Sequence, residues 1–372
     1  MSRQTAVRPR LLMVSANSYP VMGGVETHIH EVAPRLVRAG MDVTILTTDR
    51  TRRLPRHEWQ AGVEVRRVPA WPSSRDYYLA PGIFTAIQQG RWDLVHVQGY
   101  HTAVPPLAML GALRSHTPFV LSFHSGGHAS SLRIRGRRAQ HAALGPLVAR
   151  ARRLIAVSSF EVRLFGETMG ASPRRFVTIP NGASMPQPSP TARPSSEEPL
   201  ILSVGRLERY KGHHRAIEAM PHVLAHMPSA RLQIVGSGPY GPAIERIISD
   251  RNLSDRVTLS TLPPGERQAM ADLLARASLV VLLSEYEANP VAVMEALGLD
   301  RPVLAAYTSG LADLADQGLV RAIPLESDAT VVGEAMVQEL RAPMPRRSVV
   351  LPTWDSCADQ LLAVYQDVLA SA

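Results

Sequence analysis

Short apolar runs alternate with amphipathic stretches along almost the whole of this chain, and that alternation limits the fold more than any other feature. "LLMVS" (11–15) reads as a buried strand. Val25, Ile29, Val32 and Leu36 then recur at helical spacing up to Gly40, and Pro34 inside the pattern predicts a kink. "DVTILTT", "VEVRRV", "DLVHVQ", "FVLSFH", "LIAVS" and "FVTIPNG" follow, several of them separated by helical segments. Strands alternating with helices require a parallel sheet covered on both faces, which is an α/β fold. Residues 184–199, "SMPQPSPTARPSSEEP", carry Pro, Ser and charge without periodicity and read as a linker. The alternation restarts with "LILSVG", "RLQIVG", "RVTLS", "LVVLLS" and "PVLAA". A chain of 372 residues exceeds one comfortable core, so two domains are expected, at 1–183 and 200–354. "TWDSCADQLLAVYQDVL" (353–369) reads as a last amphipathic helix. Two α/β units facing each other form a cleft, and open α/β sheets bind ligands beyond the carboxyl ends of their strands.

Composition narrows the function. The formal charge of +8 suits nucleic acid, an anionic membrane surface or an acidic substrate. Aromatics are 5% of residues and no basic run is rich in them, so a base-stacking nucleic-acid surface is disfavoured. One cysteine, Cys357, excludes an internal disulfide and a cysteine metal cluster. The N-terminal apolar run "LLMV" is too short for a signal peptide, and no stretch approaches the roughly 18 apolar residues of a membrane span. A cytoplasmic protein is expected. Of the 40 Lys and Arg residues only Lys211 is lysine.

Several stretches carry chemistry. Gly23 and Gly24 join the first strand to the first helix, whose free amides suit an anion; a flexible turn is the plainer reading. "GSGPYG", beginning at Gly236, matches a dinucleotide loop, but Pro239 and the short helix behind it fit that loop poorly, so a tight turn lining the cleft is favoured. In "SVGRLERYKG", Arg206 and Lys211 lie just beyond a strand's carboxyl end and could clamp two phosphates; solvated surface cations are the alternative. "LLSEYEANPVAVMEALG" places Glu287 in a strand-end loop, with Ala288 next. Asn289 reads as a helix N-cap and Pro290 as the first helical residue, so the amides of Val291 to Val293 would face an anion. Glu295, inside an apolar helix, needs a partner: sugar hydroxyls, or an ion pair with a nearby arginine. A glycosidase acid/base pair is a rival for the two glutamates. His124 ends another strand, in "SFHSGGH", and suits substrate contact or a structural hydrogen bond. No Asp-x-Asp and no metal-spaced cluster occurs, so metal-independent chemistry without a cofactor is expected. The basic stretch 133–153 could meet an anionic membrane, or be a solvated helix face.

Taken together, "GGVETHIHE", "AVSSFEVRLF", "IPNG", "SVGRLERYKG", "IVGSGP" and "SEYEANPVAVMEALGLDRPV" resemble, in order, the retaining glycosyltransferases of family 4. The Glu287-x7-Glu295 pattern is that family's hallmark. The resemblance implies the GT-B fold: two Rossmann-like domains facing a cleft, with a C-terminal helix (355–372) crossing back to the first. It implies a nucleotide-sugar donor held mainly by the second domain, with Arg206 and Lys211 at the diphosphate. Glu295 matches the residue at the ribose hydroxyls, and Glu287 the one at the donor sugar. His124 matches a histidine near the transferred sugar, and Gly24 belongs to the glycine loop near phosphates and acceptor. The family often has Glu-Gly-Phe-Gly where this chain has Glu287-Ala288-Asn289-Pro290. Pro290 has no amide hydrogen to offer a sugar, whereas Asn289 brings a side-chain amide. The function expected is transfer of a sugar from a UDP-sugar, with GDP second, to an acceptor hydroxyl. A UDP-sugar 2-epimerase of the same fold and a non-catalytic anion binder are the alternatives.

Overall fold

The structure, a computed structural model, describes residues 8–371 apart from 22, 73–77, 126–130, 264, 346 and 348, together with the side chains of all of these but 131–139. The described residues form two compact units. The first takes those up to Pro180 and resumes at Trp354; the second spans Asn181–Thr353.

In the first unit the strands are β1 (Arg10–Val14), β2 (Asp42–Asp49), β3 (His57–Gln60), β4 (Val63–Pro69), β5 (Leu94–Gln98), β6 (Phe119–Ser122), β7 (Leu154–Ala156) and β8 (Phe176–Thr178). The helices between them are α1 (Gly24–Arg38), α2 (Gly82–Gln89), α3 (Val104–Arg114), α4 (Ser131–Val148) and α5 (Ser159–Met169). The sheet order is β3-β4-β2-β1-β5-β6-β7-β8, parallel throughout except for the antiparallel edge pair β3–β4. Leu11, Leu12, Met13 and Val14 of β1 are all fully buried, as a parallel strand covered on both faces demands. Burying such a side chain contributes about 1.5–3 kcal/mol. Sheet growth reverses at β1, which pairs with β2 on one side and β5 on the other. Pro34 lies within α1, which stays helical from Gly24 to Arg38.

In the second unit β9 (Leu200–Val204), β10 (Arg231–Val235), β11 (Val257–Ser260), β12 (Leu279–Leu282), β13 (Val303–Tyr307) and β14 (Arg321–Pro324) alternate with α6 (His213–His226), α7 (Gly241–Asp250), α8 (Arg267–Arg276), α9 (Val291–Gly298), α10 (Ser309–Asp316) and α11 (Ala329–Arg341). The order β11-β10-β9-β12-β13-β14 is wholly parallel and is the doubly wound dinucleotide-type order. Its reversal falls between β9 and β12, so the loops after these two strands flank the crevice where such sheets take ligands. Residues 184–199 carry neither helix nor strand. They are tied to this unit by Ser189, whose amide and hydroxyl both donate to Asp272, at 2.7 and 2.8 Å.

The last helix, α12 (Trp354–Ala370), packs on the first unit. Trp354, Cys357, Leu361 and Tyr365 form its buried face. Arg35–Asp355 (2.8 Å) and Arg153–Asp367 (2.7 Å) pair at the surface, where such bridges contribute about 0–1 kcal/mol, so the apolar face holds the helix. Burial pushes the Cys357 thiol up to about 12, which makes it a packing residue.

Glu161, in the first turn of α5, is the first unit's buried loop anchor. Its fully buried carboxylate accepts from the amide of Ser125 and, at 2.8 Å, from that of Val157. Burial raises its pKa to about 8 against the pull of those two bonds. Replacing Glu161 with Leu removes the acceptor from both buried amides. It is expected to destabilise the protein by about 1–3 kcal/mol per amide, with Glu161→Gln, which keeps one acceptor, losing less. Thermal or denaturant unfolding of the two variants checks this.

Candidate active site

The chain leaves β9 at Gly205, and Arg206 stands exposed on the next turn. A single 3-10 turn, Arg209–Lys211, then leads into α6 through Gly212, at φ +72°. A Cβ on Gly212 would overlap the carbonyl of Leu283, so only glycine lets this turn rest on the end of β12. Fully buried His213 locks the turn from below. Its Nε2 donates to the Arg206 carbonyl (3.2 Å), which leaves Nδ1 to accept from the Ser203 hydroxyl (2.9 Å). Burial lowers His213 to about 4, so it stays neutral. "GSGPYG" packs against the same turn. A Cβ on Gly236 would overlap the Gly205 carbonyl, the Leu207 amide donates to Ser237, and Leu207 accepts from Tyr240. These glycines admit backbone to backbone, and the run forms a tight turn at the end of β10.

The loop after β12 meets this turn. The Glu285 amide donates to the Tyr210 carbonyl at 2.7 Å, and the Tyr210 and Tyr286 rings stack with centroids 4.4 Å apart. Arg206 Nη2 donates to the Tyr210 hydroxyl at 2.8 Å. Glu287 Oε1 accepts from Lys211 Nζ at 2.5 Å and from Ser284 Oγ at 2.8 Å. Both side chains of the ion pair are largely buried, at 15% and 11% exposure. Burial works against the Lys211 charge, but the Glu287 carboxylate outweighs it and raises the ammonium above its usual range. The Glu287 backbone is pinned in turn: its amide donates to Ser309 Oγ (2.7 Å) and its carbonyl accepts from Gly310 (2.8 Å). Glu287, 76 residues beyond Lys211, therefore meets the Arg206–Lys211 turn at the sheet's reversal.

The structure corrects the start of α9. Pro290 is the N-cap in extended geometry, and Val291 is the first helical residue. The Val293 amide donates back to Pro290, which leaves the amides of Val291 and Ala292 ahead of the first internal bond. Asn289, buried beside Ala288, faces Asn181 instead of capping the helix. Its Oδ1 accepts the Asn181 amide (2.9 Å) and its carbonyl accepts Asn181 Nδ2 (2.7 Å). Among the described residues Asn289 Nδ2 has no hydrogen-bond partner. Glu295, 4% exposed, pairs with Arg267 Nη1 at 2.5 Å. The arginine alternative is thus present in the structure. Sequence reasoning had no signal for Arg267, and none for His213 or the tyrosine stack; Asn181 lies in the quoted "IPNG".

In the first unit Gly23 is the extended N-cap of α1, and Gly24, exposed, is its first residue. His124 follows β6 in the left-handed region, at φ +51°. Its Nε2 bonds Gln98 Oε1 at 2.7 Å, and His28 of α1 sits edge-on to its ring at 4.9 Å. The "GGH" continuation at 126–128 lies outside the described residues, as do the side chains of 133–139 in the basic stretch. Farther along that stretch Arg150 and Arg152 are exposed, and Arg153 pairs with Asp367. Among the described residues no group of three or more His, Cys, Asp or Glu side chains comes together to hold a metal, and no helix is long and apolar enough to cross a membrane.

Two wholly separate parallel sheets, with cations and a carboxylate gathered at the reversal of the second, define the class as GT-B glycosyltransferases. Residues 22–185 match the family description "Glycosyltransferase Family 4", and residues 189–336 match "Glycosyl transferases group 1". The chain belongs to these group 1, family 4 glycosyltransferases. It is similar to a D-inositol 3-phosphate glycosyltransferase of Nocardiopsis dassonvillei, 28% identical over 98% of this chain and 95% of that one. It is also similar to a glycogen synthase of Mycobacterium tuberculosis, 27% identical over 83% of this chain and 80% of that protein. The sucrose-phosphate synthase of Thermosynechococcus elongatus shares the fold, with a TM-score of 0.81 and 21% identity over 98% and 100% of the two chains. So does Alr3699/HepE of Anabaena, solved with UDP and glucose, with a TM-score of 0.69 and 17% identity over 98% and 97%.

Two fully buried histidines, one in each unit, make stability depend on pH. His96 of β5 is lowered to about 3 and His213 to about 4, in each case chiefly by burial. Both are depressed below the unfolded value of about 6.5, so the unfolded chain takes up these protons first as pH falls. Each histidine contributes a loss of about 1.4 kcal/mol per pH unit from about pH 6.5 down toward its folded value; in the first unit Glu161, raised to about 8, acts in the opposite sense down to its unfolded value of about 4.3, so the slope is plainest in the second unit. Unfolding followed between pH 7 and 4.5 checks the slope, and His213→Gln should flatten the second unit's share.

Proposed function

We propose that this glycosyltransferase is a metal-independent, retaining enzyme that moves a sugar from a UDP-sugar, with GDP-sugars second, to an acceptor hydroxyl. The observation that carries the reading is the meeting of Arg206, Lys211 and Glu287 at the β9/β12 reversal. An ammonium has three donors, and Glu287 takes one, so Lys211 keeps two for a diphosphate. Arg206, exposed and braced by Tyr210, supplies a second cation within the same turn. UDP is favoured because Alr3699/HepE, which shares the fold, was solved with UDP and glucose. In this reading Glu295 meets the ribose hydroxyls, and the amides of Val291 and Ala292 face the phosphates. Glu287 and Asn289 Nδ2 meet hydroxyls of the donor sugar, as does His124. The glycines at 23–24 let an anion or acceptor approach the start of α1.

The chemistry is then electrostatic. As the bond from sugar to diphosphate breaks, negative charge grows on the leaving phosphate, and Arg206, Lys211 and the helix amides stabilise it. The acceptor hydroxyl attacks from the same face, and a leaving phosphate oxygen takes its proton. No protein nucleophile is needed for retention in this scheme, and no cofactor beyond the co-substrate. The inositol phosphate glycosyltransferase named above supports small polar acceptors, and polysaccharide, glycolipid and natural-product hydroxyls belong to the same reading. Contact of the basic stretch 133–153 with anionic lipid, at the inner face of a membrane, is its outermost part.

Purified protein incubated with UDP-glucose is expected to release UDP slowly by hydrolysis. Lys211→Ala should lower that rate by about 10²–10³-fold and, by leaving the buried Glu287 unpaired, cost about 3–5 kcal/mol of stability, so the rate is measured well below its unfolding temperature. Full activity in that variant would sink the assignment, and an isomerised sugar nucleotide formed from donor alone would favour the epimerase. Lys211→Arg tests shape against charge: a loss of tenfold or more is expected, because a planar fork cannot occupy the site of a compact ammonium.

A further inference from the structure

The ring of His124 is held from one side only, by a chain of buried polar groups that the transfer chemistry does not use. Tyr365 of α12 places its hydroxyl 2.6 Å from His96 Nδ1, and Ser122 Oγ lies 2.8 Å from His96 Nε2. The two ring nitrogens of His96 are thereby satisfied, and the ring is fully buried. Gln98, two residues along β5 and itself buried, lays its amide nitrogen 3.1 and 3.3 Å from those same nitrogens. With both ring nitrogens engaged, the Gln98 amide nitrogen rests against the His96 ring. Its Oε1 then points the other way, to His124 Nε2 at 2.7 Å. A carbonyl oxygen only accepts, so His124 Nε2 carries the hydrogen. The backbone supports the same pose: His124 sits at φ +51°, and the Ser125 amide that follows is held by Glu161.

We infer that Gln98 is a positioning residue that fixes His124 as the Nε2–H tautomer, leaving Nδ1 as a lone-pair acceptor for a ligand hydroxyl. Among the described residues Nδ1 of His124 has no hydrogen-bond partner. A ring so fixed accepts a hydrogen bond from a sugar or acceptor hydroxyl and cannot donate one to a phosphate or carboxylate oxygen from that nitrogen. Gln98 thus sets the chemistry of what His124 can recognise, and Tyr365 and Ser122, by fixing His96, set the direction of Gln98. The ligand side of this inference rests on the role proposed for His124 in sugar transfer; the tautomer does not.

The two are separated by measuring both. In ligand-free protein labelled with 15N at histidine, the His124 signals are those lost in His124→Asn. They are expected to report the Nε2–H tautomer in the wild type. In Gln98→Leu they should move to a mixture of tautomers, and in Gln98→Glu, where a buried carboxylate faces the ring, toward the doubly protonated imidazolium. UDP-glucose hydrolysis is expected to fall about tenfold in both variants through kcat, with KM little changed. Wild-type His124 carrying its hydrogen on Nδ1, or a tautomer unmoved by Gln98→Leu, overturns the inference. A tautomer that shifts while hydrolysis does not upholds Gln98 as the residue that sets it and removes His124 from the transfer reaction.

Discussion

The buried ion pair between Lys211 and Glu287 is the contact on which the second unit's site depends. Taking two charges out of water costs several kcal/mol each, and their attraction rarely returns more than that, so such a pair is poor value as a stabiliser. Here it is nevertheless built with care. Ser284 gives Glu287 a second donor, Ser309 and Gly310 fix its backbone, and Gly212 exists so that the lysine's turn can touch β12. Neighbouring groups that consent to so much restriction are holding a charge in place for something other than the fold. A pre-aimed ammonium at the reversal of a doubly wound sheet needs no reorganisation when an anion arrives, and that saving is what electrostatic catalysis requires.

The first unit follows the opposite electrostatic rule. Its buried Arg67 pairs with Glu58, but the polar chain from Tyr365 to His124 is neutral: His96 is far below its ordinary range through burial, and burial with the neighbouring His28 and His96 holds His124 low as well. Tyr365 is raised well above the usual phenol range, again by burial. Neutral groups can orient one another by hydrogen bonds without a desolvation penalty for charge, which suits recognition of hydroxyls. The charged cluster of the second unit suits phosphates. The two sheets, built on one plan, therefore carry two kinds of chemistry at their strand ends, and each kind follows from whether its buried groups can ionise.

Much of this was legible in the sequence because it is local. Strand runs such as "LLMVS" and "LVVLLS" announce themselves by composition, and Arg206, Lys211 and Glu287 lie within a few residues of such runs. Partners across the fold leave no such trace. Nothing near Glu295 points to Arg267, which reaches it from the start of α8. Nothing marks His96, Gln98 and Tyr365 as one chain, since α12 lies more than 250 residues from β5 and the contact exists only after folding. The short β3 was missed because "HEWQ" is polar and half exposed, an edge strand recognised only through its pairing with β4. The misplaced cap of α9 has a similar cause. An Asn before a Pro is a strong local signal for an N-cap, but the Asn181 amide takes the Asn289 side-chain oxygen, and the Asn181 side chain adds a second bond to the Asn289 carbonyl.

The single lysine now has a physical context among the arginines. Two buried glutamates are held by arginine, Glu295 by Arg267 and Glu339 by Arg321, while buried Glu161 is held by backbone amides. A guanidinium presents its donors in one rigid plane, so a carboxylate that fits it is committed to that geometry. In the proposed reading Lys211 stands where the partner is shared between Glu287 and an incoming anion. An ammonium can turn about its last bond and pass a donor from one oxygen to another with little movement of its stem. On that reading, a chain that uses arginine for every other Lys or Arg position departs from its habit at the point where a rigid fork would serve the carboxylate and fail the ligand.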